Sequence, residues 1–329
     1  MLVAVTGADG FVGRHVCRAL RARGCEVRPA ARDEACAVRA RELIRGTLPP
    51  VVVGDIGPAT DWSAALAGAE AVIHLAARVH VMDEKAADPL EAFREVNVRG
   101  TRRLAEAAVA SGVRRLVFVS SIKVNGESTT GRAPFCERDA PDPRDAYGVS
   151  KWEAEQVLAA VGAGAGLETV AVRPPLVHGP GVGGNLLRLL RLVNRGVPLP
   201  FAGVRNRRTL IAADNLADLL ALCAAHPAAA GRTFTAGDGE DLSTAQLIRA
   251  LAAGLGRPAL LVPAPHGLLR TLASPLGRSA ALDRLTGSLQ VDSTTVREVL
   301  GWTPPVTAAE GLARMGRWYR DTGGRPQIG

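Results

Sequence analysis

The 329-residue sequence predicts an α/β fold, a doubly wound parallel sheet followed by a smaller, mostly helical C-terminal lobe. Two observations carry this. From the first residue, short apolar strand patterns alternate with amphipathic helical ones, the rhythm of parallel strands joined by right-handed crossovers. After Arg173 the rhythm breaks: a Pro/Gly-rich stretch, PPLVHGPGVGG, precedes helical segments separated by Pro-rich connections. The length suffices for one large or two closely joined domains with a substantial core.

LVAVT reads as the first buried strand and FVGRHVCRALRARG as a helix that Gly24 ends. CEVRPAAR and PVVVGD follow as strands, then a short helix near residues 62–66. AVIHLAA is a further buried strand, and a long helix is expected over about 89–111. RRLVFVSS, a helix near 147–161 and LETVAVRPP complete the series. Beyond it, NLLRLLRLVNRG reads as a helix and RRTLIAADNLADLLALC as strand then helix. Later helices are expected at 243–255, about 293–300 and 307–319.

Composition narrows the function. Aromatic residues make up 4% of the chain, too few for base-stacking nucleic-acid modules. The net charge of +8 comes from cations spread along the sequence; it reads as a solvated surface that also attracts a phosphorylated ligand. Five cysteines form no CxxC pair, so reduced thiols in a cytosol are expected, with no metal site. With a strand pattern from its first residues no signal peptide is expected, and with no run of 18 apolar residues no membrane span is expected. The amphipathic stretch HGLLRTLASPLGRSAALDRL, residues 266–285, is expected to pack on the body of the protein.

TGADGFVG places Gly7, Gly10 and Gly13 directly after the first strand and at the start of a helix. A tight glycine turn leading into a helix N-terminus offers unpaired N–H groups and a positive dipole to a dinucleotide pyrophosphate. An acidic residue ending the second strand would bind the ribose of NAD, but here that position is Ala31, followed by Arg32. Arg32 suits a 2′-phosphate, so NADP(H) is favoured over NAD(H), with Asp33 a competing ribose ligand. The expected organisation is therefore a Rossmann-type dinucleotide domain, 1–176, and a substrate lobe, 177–329, with parts of about 208–236 packing back on the first.

YGVSK puts Tyr147 and Lys151 one helical turn apart, on one face. A nearby ammonium and a nicotinamide cation would favour the phenolate of a tyrosine, whose free pKa is about 10. SSIKVNG ends a predicted strand, so Ser121 lies at the sheet edge that also presents the glycine turn.

With TGADGFVG, HLAA, the Asn97 of EVNVRGT, SSIKVNG and YGVSK in this order, the chain resembles an extended short-chain dehydrogenase/reductase of the NAD-dependent epimerase/dehydratase family. RRTLIAADNLADLL and LGWTPPVTAAEGL extend the resemblance over essentially the whole chain. The resemblance implies that Tyr147 is the general acid/base, Lys151 binds the ribose and tunes Tyr147, Ser121 orients the substrate oxygen and Asn97 supports a proton-relay water. It implies that Phe11, Val12, Asp55, Ile56, Leu75, Ala76, Ala77 and Pro174 join the glycines around the cofactor. Family members that are 4,6-dehydratases carry Asp-Glu after the hydroxyl residue. Here those positions hold Ile122 and Lys123, which leaves hydride transfer at one carbon.

SSIKVNGE, RPPLVHGPGVGGN and PLPFAGVRNRRTL resemble a bacterial subgroup tied to surface-polysaccharide synthesis. That subgroup includes UDP-glucose 4-epimerases and reductases of UDP-4-keto-6-deoxy-N-acetylhexosamine; Arg32 tilts the expectation toward the reductase. A UDP-sugar is thus the expected substrate, in the cytoplasm, for a monomer or a homodimer. Asn185, at a helix start, and Arg208 are candidates for its phosphate and sugar oxygens, with Lys123 and His178 as further sugar contacts.

Overall fold

The computed structural model describes residues 1–79, 88–264 and 279–325. Seven strands form one parallel sheet in the order β3-β2-β1-β4-β5-β6-β9. They are β1 (Leu2–Thr6), β2 (Glu26–Ala31), β3 (Val51–Val52), β4 (Ala71–His74), β5 (Arg115–Val119), β6 (Glu168–Arg173) and β9 (Thr233–Thr235). The strand order reverses between β1 and β4, which opens a crevice outside their carboxyl ends.

Alternation along the strands divides the core into two layers. Val3 and Val5 of β1 face α1 (Phe11–Ala22) and α8 (Ala213–Ala225), where Val16, Leu20, Leu216 and Leu220 are buried. Ala4 and Val72 face the opposite layer, made by α3 (Ser63–Leu66), α5 (Gly100–Ala110) and α6 (Ala146–Ala165). The helix entering α5 begins with α4 (Pro89–Arg94), whose first turn Asp88 caps, and passes through a π-helical turn at Glu95–Arg99.

The second half contains more sheet than the sequence pattern suggests. β7 (Leu176–His178), β8 (Arg208–Ala212) and β10 (Asp241–Leu242) form a separate sheet in the order β10-β8-β7. Around it lie α7 (Gly184–Asn194), α9 (Thr244–Leu255), α10 (Ser279–Thr286) and α12 (Ala308–Thr322), with Leu190, Leu251, Leu312 and Met315 fully enclosed. Within the stretch 266–285, residues 266–278 lie outside the described residues; in the remainder Leu282 is buried in this cluster.

Two pieces of the second half complete the first. β9 pairs with β6 (Ala171↔Thr233), and α8 covers α1. Following α11 (Thr294–Leu300), Trp302 buries its ring in the same core and donates its indole N–H to Asp218 at 3.0 Å. This accounts for the aromatic residue of LGWTPP.

The sequence reading also passed over α2 (Glu34–Leu43). Its buried side is Cys36, Ala37, Ala40 and Leu43, a face of mostly small residues with little apolar contrast.

Candidate active site

The chain leaves β1 at Thr6 and turns through Gly7 into α1. Gly7 has φ +66°, and a Cβ there would stand 3.1 Å from the Ala76 nitrogen. A Cβ at Gly13 would come within 2.1 Å of the Gly7 carbonyl oxygen. Gly10 caps α1 with no side chain over its first turn and no acidic residue in it. The leading N–H groups and the helix dipole therefore meet the crevice uncovered, and this glycine cradle fits a diphosphate.

Thr6 and His74, which the sequence reading did not single out, fasten this turn to the loop after β4. Thr6 Oγ1 accepts from the Leu75 and Ala76 N–H groups, both at 3.1 Å, and lies 2.7 Å from His74 Nδ1. With both lone pairs engaged, the Thr6 hydroxyl must donate to Nδ1. The His74 Nε2–H then donates to Thr101 Oγ1 at 3.1 Å. Burial, aided by Lys151, pushes the His74 pKa down to about 3, so the ring is neutral and this tautomer is stable. The signal was present in the spacing of VAVT and HLAA, whose ends the parallel register sets side by side (Thr6↔His74).

Around the cradle, Phe11 and Val12 occupy the first turn of α1, and Leu75, Ala76 and Ala77 are half-buried in the loop facing it. Ile56 packs against Gly100, and the neighbouring Asp55 side chain is exposed. Pro174, buried beyond β6, accepts the Ile122 N–H at 3.0 Å. At the end of β2, Arg32 is exposed and its Nε donates to Asp33 Oδ2 at 3.0 Å; Asp55 Oδ1 stands 3.9 Å away. Asp33 also caps α2 by accepting the Cys36 N–H at 2.8 Å. That backbone bond first, and Arg32 second, hold its carboxyl pKa down at about 2.

Tyr147 and Lys151 lie on the first turns of α6, which Asp145 caps by accepting the Gly148 N–H at 2.7 Å. The Ser121 side chain neighbours the Tyr147 hydroxyl and favours its ionisation. Lys151 is buried: its Nζ donates to the Val119 carbonyl at 2.8 Å and sits 4.4 Å from the Phe118 ring centre and 6.0 Å from that of Tyr147. Desolvation lowers the Lys151 pKa to about 7 despite the opposing charge of Glu155. Enclosure, then the Asp145 carboxylate, push Tyr147 up to about 12, against the opposing effect of the neighbouring Ser121 hydroxyl.

Asn97 is buried in the π-helical turn, a distortion frequent at functional sites. Its Oδ1 accepts the Arg78 N–H at 2.8 Å, and its Nδ2 donates to the Arg78 carbonyl at 3.0 Å and to Ser150 Oγ at 2.9 Å. The side-chain amide is thus a clamp between the loop after β4 and α6, with both N–H donors engaged.

Of the two hydroxyls in SSIKVNG, Ser121 meets Tyr147, whereas Ser120 donates inward to Glu155. Ile122 is 4% exposed, packed with Phe135, Leu289 and Val291. Lys123 pairs with Glu127 at 3.0 Å and with Asp145. On the lobe, Asn185 is exposed in the first turn of α7, and half-buried Arg208 opens β8 with Nη1 donating to the Gly287 carbonyl at 3.2 Å.

The expectation for His178 is corrected. Its side chain is fully enclosed and its Nε2 lies 2.9 Å from Asp238 Oδ2. The same carboxylate receives the Ala212 N–H and the Asn215 amide, so this histidine braces β7 against β8 and α8 and has no face for a sugar.

The ends of β1, β4, β5 and β6 thus bring together the glycine cradle, the Ser121–Tyr147–Lys151 group and Asn97, an arrangement of the short-chain dehydrogenase/reductase class. The sequence profile of the NAD dependent epimerase/dehydratase family matches residues 3–237. A UDP-glucose 4-epimerase of Vibrio cholerae is 41% identical over 324 residues, covering 98% of this chain and 97% of that protein. A UDP-glucose 4-epimerase of Mycolicibacterium smegmatis is 32% identical over 337 residues, covering 98% and 99%. The solved structure of MoeE5 in complex with UDP-glucose and NAD is similar at a TM-score of 0.75 and 28% identity, covering 98% of this chain and 99% of that one. The chain belongs to the NAD dependent epimerase/dehydratase family, as an enzyme of the extended short-chain dehydrogenase/reductase type.

Proposed function

We propose that the enzyme is a 4-epimerase of UDP-hexoses that retains NAD. The observation that carries this reading is Tyr147 set between Ser121 and buried Lys151, with apolar Ile122 next in the chain. Such a site offers one acid/base group to one substrate oxygen and no acid for a leaving hydroxyl on a neighbouring carbon. The UDP-glucose 4-epimerases at 41% and 32% identity support the same chemistry.

When bound, NAD supplies hydride removal and return at C4. Gly7, Gly10 and Gly13 hold its diphosphate, and the loop Leu75–Ala77 and Pro174 flank it. Tyr147 takes the C4 hydroxyl proton as that carbon is oxidised and gives it back on reduction; Ser121 holds the same oxygen. Lys151 stabilises the phenolate, and Asn97 keeps the loop and α6 in register. The lobe of residues 177–329 holds the UDP group, with Arg208 and Asn185 toward the diphosphate and Lys123 toward the sugar, in the cytoplasm where UDP-sugars are made.

The charges at the end of β2 support NAD. A 2′-phosphate would approach Arg32 already paired to Asp33 and near Asp55, whereas a ribose diol would find carboxylate acceptors. A second reading, reduction of a UDP-4-keto-6-deoxy-N-acetylhexosamine by NADPH, draws on Ala31 and on Arg32 itself. To decide, the nucleotide released from the denatured protein is identified, and product is sought from UDP-glucose or UDP-N-acetylglucosamine without added cofactor. NAD release with C4 epimerisation is expected. Turnover only of the 4-keto sugar with NADPH would establish the reductase.

A further inference from the structure

We infer that one face of the C-terminal lobe docks on an anionic membrane surface. Residues 186–207 and 242–264 contain seven arginines and not one carboxylate. Far apart in sequence, these stretches are neighbours in the fold. Leu199 lies between the Leu260 carbonyl and the Val262 N–H, bonded to both, and Ala202 donates to the Val262 carbonyl.

This surface combines two features. Leu192, Val197, Leu260 and Val262 are each 38–45% exposed, and the Val197 N–H bonds to the Leu192 carbonyl, which joins α7 to the strip. Beside them Arg205, Arg207 and Arg249 line a cleft of about 630 Å³ whose one carboxylate, Asp241, accepts from Thr209 and Gln290. The exposed side of α7 adds Arg188, Arg191 and Arg195 at helical spacing. Some arginines elsewhere are neutralised by carboxylates, as Arg94 is by Glu153 and Arg115 by Glu168. Among the described residues, Arg191, Arg195, Arg205, Arg207 and Arg249 have no carboxylate partner.

Charge complementarity selects the occupant. A second copy of the same face would set arginine against arginine. A nucleic acid would find no aromatic stacking platform among these exposed residues. Lipid headgroups satisfy both features: phosphates meet the guanidinium groups while aliphatic side chains enter the boundary of the acyl region. Nothing need cross the bilayer, and no helix among the described residues is long and apolar enough to do so. The docking is independent of which sugar the enzyme uses.

The test is co-sedimentation of the full chain with phosphatidylcholine vesicles, with and without phosphatidylglycerol, at low and high salt. Binding is expected only to the anionic vesicles, weakening with salt. At about 1 kcal/mol per arginine, Arg249→Gln should weaken it about 5-fold and the triple variant R205Q/R207Q/R249Q on the order of 100-fold, with sugar turnover in solution unchanged. Leu260→Ser with Val262→Ser should weaken binding while leaving its salt dependence. Failure to bind anionic vesicles, equal binding to neutral ones, or full binding by the folded triple variant would overturn the proposal. Retention on heparin without vesicle binding would overturn it as well, and would make the face a general polyanion site.

Discussion

Arg173 and Glu155 form a buried, two-pronged ion pair, with Nη2 2.6 Å from Oε2 and Nε 3.0 Å from Oε1. It ties the end of β6 to α6 one turn beyond Lys151. Ser120 donates to the same carboxylate, and Arg173 Nη1 donates to Asn125 Oδ1 at 3.1 Å. The helix carrying the site is thereby fixed against the sheet. Glu155→Ala or Arg173→Ala leaves the other charge buried alone, which should cost about 3–5 kcal/mol in urea denaturation. A loss below about 1 kcal/mol, the range of exposed pairs, would show that the bridge does not anchor α6.

Tyr147→Phe keeps the ring and removes the proton that travels to the substrate oxygen. Turnover should fall at least about 10²-fold, with cofactor binding retained. Near-normal kcat would remove Tyr147 from the mechanism.

The ionisation of Tyr147 can be observed directly. The chain has two tyrosines, so a Tyr319→Phe background isolates it in ultraviolet difference spectra. Without cofactor its phenol should titrate near 12, where enclosure holds it. Between the free value of about 10 and that point, the folded protein keeps a proton the unfolded chain has lost, so stability falls as pH rises there. The cationic nicotinamide ring of bound oxidised NAD should bring the titration down. An unshifted titration in the cofactor-free protein would mean that water reaches the hydroxyl.

Lys151 runs the opposite way. Its folded pKa of about 7 lies below the ordinary lysine value, so the unfolded chain holds the proton over the interval between them. This residue's contribution to stability therefore rises with pH from about 7 upward and is least favourable below it. Lys151→Met should abolish turnover and lessen that pH dependence, with the melting temperature held or raised below neutrality. A large loss of stability at low pH would show instead that the Val119 hydrogen bond outweighs the buried charge.

No 4-keto-6-deoxy product should form from UDP-N-acetylglucosamine or dTDP-glucose, because Ile122 is sealed among Phe135, Leu289 and Val291. Product analysis by mass spectrometry after prolonged incubation checks this. Accumulation at enzymatic rates would require an acid at another position.

The main strands, most of the helices and the grouping of Ser121, Tyr147 and Lys151 were legible because each rests on a local signal: apolar runs, a glycine turn, a one-turn spacing. β7, β9 and β10 were not, since strands of two or three residues show no alternation and these three lack the apolar run that marked β3. The relations of Arg32 were equally hidden, because whether it meets Asp33, Asp55 or a phosphate depends on loops from two strands. His178 misled for a related reason: a histidine beside a Pro/Gly-rich loop looks exposed until Asp238, sixty residues later, is brought to it.

The return of α8 and β9 to the first sheet has a consequence for biosynthesis. A nascent chain that has just delivered β6 to the ribosome exit carries an unpaired parallel edge and an α1 that still lacks the cover of α8. The helix gains its cover only once residue 225 has emerged and the edge its partner only at residue 235, and Trp302 seals that core later still. Completion of the nucleotide half is thus held back to the last third of translation, and through that interval the β6 edge is open to pairing with another chain.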